Sequence, residues 1–285
     1  MARWGADLSA KLYQRRNAIS LVSGYLAVFF WLLFGNVETA GTGESVYETP
    51  GVPQWSPPAR GHIFGTTASG IDLFDISRLG MATSAAFAIT VSALGVGFAL
   101  LSGWLIAFTS GAENLRLAAR VSEGFGLVPS FFIFLVLAAG SEGDPTVILV
   151  GFSILIGLLY MGQVHSLFEE RKSGGDVTAG LALGMSRTSI VWKRDLPAVA
   201  KKCFGIFTVL VPLVMLSELT LSFLGLMGDR ISCGRLIAEG SAVMVEAPWV
   251  SFYPGIMATV VISIFAVLGW CVSGVCKCKP MPRAF

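Results

Sequence analysis

Long runs of apolar residues without a charged side chain constrain this chain more than any other feature. Hydrophobic residues make up 54% of the 285 residues, and charged residues make up 13%, which is about half the share found in a typical soluble domain. An apolar run of about 20 residues is long enough to cross the hydrocarbon core of a bilayer as a helix. We therefore expect an all-α integral membrane protein.

The apolar runs predict about six transmembrane helices. They lie at residues 19–34, 82–108, 127–139, 147–161, 204–226 and 255–275. The first resembles a signal peptide, but its length and the five later runs favour an uncleaved helix. We expect an N-terminal segment, first helix and external loop over 1–80, a transmembrane core over 81–276, and a cytoplasmic tail over 277–285.

Lysine and arginine are distributed unequally between the two sides that six crossings create. With the N-terminus inside, sixteen of the 20 basic residues fall on inner segments. The outer loops hold the other four, Arg60, Arg78, Arg230 and Arg235. Because basic residues accumulate on cytoplasmic loops, we predict that both termini and residues 163–202 are cytoplasmic. Residues 36–80 and 227–254 are then external.

Two short helices are predicted in the long connections. Residues 70–79 mix apolar and charged side chains, which favours an amphipathic helix lying at the outer interface. Residues 177–185 favour a small apolar helix in the cytoplasmic loop, and Pro197 limits helix continuity after it. Such a loop is what a docking element would look like, and a surface helix that only covers helix ends is the alternative.

Residue patterns typical of catalysis or metal binding are missing from the sequence. It has no Gly-x-x-x-x-Gly-Lys-Ser/Thr phosphate loop, and His62 and His165 stand far apart without clustered ligands. Cys276 and Cys278 favour a pair of free thiols over a metal site or a lipid attachment. We therefore expect a chain that is not an enzyme and that binds no metal or cofactor itself.

Glu218 is the one acidic residue well inside a predicted span. An ionisable group at this depth is costly and normally faces a protein interior or a water-filled path. Two interpretations remain open. Glu218 is either a cavity or gate residue, or a buried acid bonded to a neighbouring helix or to Ser217 and Thr220.

Four motif stretches occur in order between residues 62 and 255. They are HIFGTTASGIDLF at 62–74, Arg120-Val-Ser-Glu123 with Pro129-Ser130, the loop 178–197, and the segment 218–255 with Ser-Phe-Leu-Gly-Leu, Ser-Cys-Gly, Glu-Gly, Ala-Pro-Trp and Tyr-Pro-Gly. Together they resemble the C-type membrane permease subunit of the dipeptide/oligopeptide/nickel family of ABC importers. The resemblance implies a type I importer permease fold with a cytoplasmic coupling helix.

The third stretch resembles the segment through which that family's permease couples to its ATPase. The family motif Glu-Ala-Ala-x3-Gly-x9-Ile-x-Leu-Pro aligns with Thr178, Ala179, Gly180, Gly184, Leu196 and Pro197. Thr178 replaces the family's glutamate, and Arg194 replaces its isoleucine. These departures imply a changed docking mode or an adapted ATPase.

The resemblance also implies partners and a location. A related permease subunit would complete the pathway, two ABC ATPases would bind ATP and Mg²⁺, and an extracytoplasmic binding protein would deliver the substrate. The assembly would lie in the bacterial cytoplasmic (inner) membrane. Peptides, nickel and other small solutes all remain open as cargo. A secondary transporter or channel, which would place charges in several spans, and a non-transporting scaffold are the alternatives from other classes.

Overall fold

A computed structural model describes residues 54–109, 124, 130–172, 184 and 187–276. The helices are α1 (Leu73–Thr109), α2 (Ser130–Gly140), α3 (Pro145–Lys172), α4 (Arg187–Ile190), α5 (Leu196–Phe223), α6 (Cys233–Ala242) and α7 (Trp249–Cys276). A π-helical turn, Val191–Asp195, joins α4 to α5. The prediction of an all-α membrane protein is confirmed.

Four helical runs in the described residues are long and apolar enough to cross a membrane. They are Leu73–Leu105, Pro145–Arg171, Trp192–Phe223 and Trp249–Val272. They coincide with the second, fourth, fifth and sixth predicted segments. The third segment contributes α2, whose 11 residues cover about 16 Å of a core about 30 Å thick. The first predicted segment lies outside the described residues.

Helices α1 and α3 pack side by side and run in the same direction. Gly95 of α1 lies against Ile156 of α3, and Gly103 lies against Val164. Small residues at these positions let the two helices approach closely. Two parallel spans that follow each other in the chain need a segment between them that returns to the first end of the bundle. Helix α2, part of the predicted third span, leads to the start of α3 and belongs to that segment.

Helix α5 runs opposite to its three long neighbours. Gly269, late in α7, lies against Thr208, early in α5. Gly143, just before α3, lies against Gly228, just after α5. One end of the bundle therefore collects the starts of α1, α3 and α7 and the end of α5. Two segments, 54–72 and 224–248, cover that end, and together we call them the cap.

The described parts of the predicted external and cytoplasmic loops lie at opposite ends of the bundle, as expected. The predicted interface helix at 70–79 is wrong, because α1 begins at Leu73 and continues directly into the span. Leu73 and Ser77 are fully buried, so this turn packs against protein and not along a membrane surface. The connection predicted to be cytoplasmic is also shorter than expected, because α3 remains helical to Lys172.

Pro197 limits helical regularity without ending the helical run. It lies in the first turn of α5, where it lacks the backbone N–H that would otherwise bond to an earlier carbonyl of the same helical run. The preceding residues take the wider π-helical turn. The predicted effect of Pro197 is therefore a change of helix type.

Candidate functional site

The first motif forms a tight loop that starts α1. The Asp72 carboxylate accepts the Phe74 N–H at 2.8 Å through Oδ1, and its Oδ2 lies 2.9 Å from His62 Nδ1. Gly65 and Gly70 have φ of +81° and +74°, a region that glycine enters at low cost. The motif residues thus fix how the cap enters the first described span.

The first and fourth motifs meet where the cap packs against the start of α7. A β-carbon at Gly65 would lie 2.9 Å from Cδ1 of Trp249, so only glycine allows this approach. The ring of Phe64 stacks on that of Tyr253, with centroids 4.5 Å apart. Residues that lie about 185 positions apart in the sequence therefore pack against each other.

The Ser-Phe-Leu-Gly-Leu motif at residues 222–226 ends α5 with a C-terminal cap. The Leu226 N–H donates to the Leu221 carbonyl and the Gly225 N–H donates to the Ser222 carbonyl, both at 3.0 Å. Gly225 has a φ of +75°. This pair of bonds with a left-handed glycine is a Schellman motif, and it turns the chain from the span into the cap.

Helix α6, which the sequence analysis did not predict, sits directly on α1 and α5. Ser232 caps its start by accepting the Arg235 N–H at 3.2 Å. A β-carbon at Gly234 would overlap the carbonyl oxygen of Leu219, and one at Gly80 would lie 3.0 Å from the Cys233 nitrogen. The serine followed by a short amphipathic run was the signal available in the sequence.

Polar contacts tie the cap to α1. The Thr83 hydroxyl donates to the Ile231 carbonyl at 2.6 Å, and the Cys233 thiol donates to the Ser77 carbonyl at 3.3 Å. Burial, and to a lesser degree the nearby Glu218 carboxyl, raise the pKa of the Cys233 thiol. The thiol therefore stays protonated and works here as a hydrogen-bond donor.

Glu218 lies beneath this junction, near the end of α5. Its side chain is fully buried, and its Oε1 accepts the Ser222 hydroxyl at 3.0 Å. The buried Ser84 hydroxyl of α1 faces the same carboxyl. Of the partners considered for a buried acid, Ser217 and Thr220 do not bond to Glu218, because their hydroxyls donate to carbonyls one turn earlier in α5.

The coupling residues predicted from the third motif do not lie near Glu218. Leu196 and Pro197 begin α5 at the far end, about 33 Å from Glu218 along the helix axis. Gly184 has a φ of +79° and open space around its α-carbon. Thr178, Ala179 and Gly180 lie outside the described residues, as does most of the second motif.

In the part of the chain that the structure describes, no three His, Cys, Asp or Glu side chains cluster as metal ligands would. The arrangement instead defines a class, a multi-pass helical membrane protein whose cap is packed onto a buried acid at one end of its bundle. Such a scaffold can bind, gate or transmit movement through α5, since the two ends of that helix carry different motifs.

No family model matches the chain. It is 29% identical over 214 residues to the oligopeptide transport system permease protein OppC of Haemophilus influenzae, covering 73% of this chain and 67% of that protein. It is 24% identical over 242 residues to the inner membrane ABC transporter permease protein YejE of Escherichia coli, covering 84% and 70%. It is 26% identical over 250 residues to the dipeptide transport system permease protein DppC of Lactococcus lactis, covering 84% and 69%. The resemblance to peptide ABC transport permeases is confirmed.

Proposed function

We propose that this chain is one membrane subunit of an ATP-driven ABC importer for di- or oligopeptides. The observation that carries the proposal is the similarity to named peptide permeases over most of the chain. The ordered motifs add to it, because the first and fourth meet at the cap end, while Leu196 and Pro197 of the third lie at the opposite end. The names of the relatives favour peptides over nickel or another small solute.

The charge distribution supports a cap on the outside of the bacterial inner membrane. Arg60, Arg78, Arg230 and Arg235 belong to the cap end. The other end carries basic residues at the end of α3 and around the start of α5, including Lys193. Basic side chains are retained on the cytoplasmic side. Both termini are then cytoplasmic, and an extracytoplasmic binding protein would meet the cap.

Movement would reach the cap through α5. The loop that ends at Leu196 and Pro197 would dock on the ATPases, which bind ATP and Mg²⁺ on their own chains. Helix α5, which contains Pro212, runs without interruption from this loop to Glu218 over about 33 Å. A related permease subunit would supply the other half of the pathway, and rigid-body movement of such helices would alternate access.

A tagged chain purified from its native membrane tests the assembly. We expect it to bring down a second chain that contains Gly-x-x-x-x-Gly-Lys-Ser/Thr, identified by mass spectrometry, and expect cells deleted for this chain to lose uptake of labelled peptides. Recovery without such a chain, together with normal peptide uptake in the deletion strain, would contradict the proposal. Uptake of nickel alone would keep the importer and change its cargo.

Gly184→Trp tests the coupling loop specifically. Because space around Gly184 is open, the variant should insert into the membrane normally but lose uptake through blocked docking. Gly184→Asn is the matched control for backbone strain, since asparagine enters the left-handed region more readily than other side chains, and it should retain more uptake. Wild-type uptake by Gly184→Trp would exclude the coupling role.

A further inference from the structure

Acidic residues are concentrated in the segments predicted to be external. Residues 36–80, 140–146 and 227–254 hold ten acidic residues against the four arginines named above. Retention of lysine and arginine in the cytoplasm sets the orientation of a membrane protein, and aspartate and glutamate contribute little to it. The excess of acids is therefore a property of the external surface and not a consequence of the orientation.

The structure exposes the acids of the cap end and half-buries most of the cations. Arg230 lies over the Phe87 ring, and Arg235 pairs with two neighbouring carboxylates. Among the described residues at this end, Arg60 is the one exposed cation, since Arg78, Arg230 and Arg235 are half-buried. Six exposed carboxylates lie there, and together we call them the acidic face: Asp75, Glu142, Asp144, Asp229, Glu239 and Glu246.

A backbone contact holds half of the acidic face together. A β-carbon at Gly143 would lie 3.0 Å from the α-carbon of Gly228, so the two chains touch at these glycines. Glu142 and Asp144 flank the first glycine, and Asp229 follows the second. Three exposed carboxylates therefore surround one contact, and Arg235 pairs with only one of them. Like charges held close together repel each other, and a surface of opposite charge would remove that repulsion.

A cleft of about 380 Å³ opens beside the acidic face, between the first-motif loop and α6. Its lining includes the buried Leu236 and the half-buried Ile71 and Ile76, together with the exposed Asp229 and Glu239. Lysine and arginine side chains likewise combine an apolar stem with a charged head. A lysine or arginine that lies along the cleft would contact both kinds of lining.

We propose, on the basis that this chain is an importer subunit, that the extracytoplasmic binding protein docks on the acidic face with a basic surface and places a lysine or arginine in the cleft. The carboxylates come from several separate segments of the chain, so the matching cations have to be spread over a protein surface. A di- or oligopeptide carries too few charges to match all six. Complementary potentials speed the encounter and fix the register of docking.

Direct binding to the full complex tests the docking surface. We would hold the complex in lipid nanodiscs and measure the Kd of the purified, peptide-loaded binding protein of the same importer by biolayer interferometry. The test variant combines Asp75→Asn, Glu142→Gln and Glu246→Gln, three acids that take part in none of the ion pairs among the described residues. These changes therefore remove charge without breaking an ion pair there.

The triple variant should raise Kd about fivefold at low salt, because exposed opposite charges each contribute modestly. Raising the salt from about 50 to about 300 mM should weaken wild-type binding more than that of the variant, since salt screens exposed charges. Arg60→Gln should have the opposite effect and lower Kd, which a merely structural role would not produce. The matched control exchanges the same acids for each other, as Asp75→Glu, Glu142→Asp and Glu246→Asp, and should bind like wild type.

Ser69→Trp tests the cleft. Ser69 is an exposed residue of its lining, so the indole should obstruct the cleft and raise Kd, while Ser69→Ala should not. Unchanged Kd and salt dependence in the triple variant would overturn the acidic face as the docking surface and leave the importer standing. The same holds if only the KM for lysine-containing peptides changes in uptake, because the cargo would then meet the face. No binding to the wild-type complex would contradict both the docking and the proposed function.

Discussion

Replacing Gly234 with alanine tests the contact that seats α6 on the end of α5. The added β-carbon would overlap the Leu219 carbonyl oxygen and would lie 2.7 Å from the β-carbon of Ser222. Two carbon atoms at optimal separation are about 3.5–4.0 Å apart, so α6 has to shift by about 1 Å. Most of the atoms that the new β-carbon would meet belong to the backbone, so a side-chain rotation cannot relieve the overlap.

Overpacking of this kind costs about 1–3 kcal/mol. For a chain of this size each kcal/mol lowers the unfolding midpoint Tm by about 2–4 °C. Intrinsic tryptophan fluorescence during heating in mild detergent measures the shift, because Trp55 of the cap and Trp249 at the start of α7 pack on the same apolar cluster. We expect Tm to fall by roughly 2–12 °C on this reasoning.

Gly97→Ala is the matched control. It makes the same chemical change in the middle of α1, where a β-carbon would meet nothing within 4 Å. Its Tm should stay the same or rise slightly, because alanine favours a helix over glycine. A Gly234→Ala protein with the Tm of Gly97→Ala would refute the close packing of α6 on α5.

Three further predictions concern the helix ends and the orientation. Gly225→Ala should lower stability by about 1–2 kcal/mol because of its left-handed backbone, and Gly225→Asn should recover part of that in the same thermal assay. The Thr146 and Val147 N–H groups lower the pKa of Asp144, so the Tm advantage of wild type over Asp144→Ala should be full above the ordinary aspartate pKa and shrink as the pH falls below it. A cysteine at Gly61 should react with an impermeant thiol reagent in intact cells, and one at Lys193 only after permeabilisation; the reverse pattern would contradict the proposed orientation.

The sequence predicted the positions of the described spans well, because the bilayer selects helices by length and apolar composition alone. Each of the four long runs contains or overlaps a predicted segment. The boundaries were too short at several ends. Polar and aromatic residues such as Asp75 and Trp249 continue the helices beyond the apolar stretch, and hydropathy does not register helices outside the hydrocarbon core.

The candidate site was only partly predictable. The motifs identified Glu218 and the residues of the first and fourth stretches. They did not indicate that Ser84 and Arg230 lie beside Glu218, or that a helix seats on α5 at Gly234. Each of these contacts joins positions that no local pattern relates, such as Thr83 and Ile231, which are 148 residues apart.

By itself the sequence determined a multi-pass helical protein, because the energy of apolar residues in lipid depends on composition and hardly on neighbours. It also carried the signals for some helix ends, such as Gly225 after α5, since caps and glycine turns act over a few residues. Only the tertiary structure decided which ends meet, how the two distant motif stretches come together, and which residues surround the acid of α5. Those outcomes depend on close approach between backbones, which is set by the packing of whole helices.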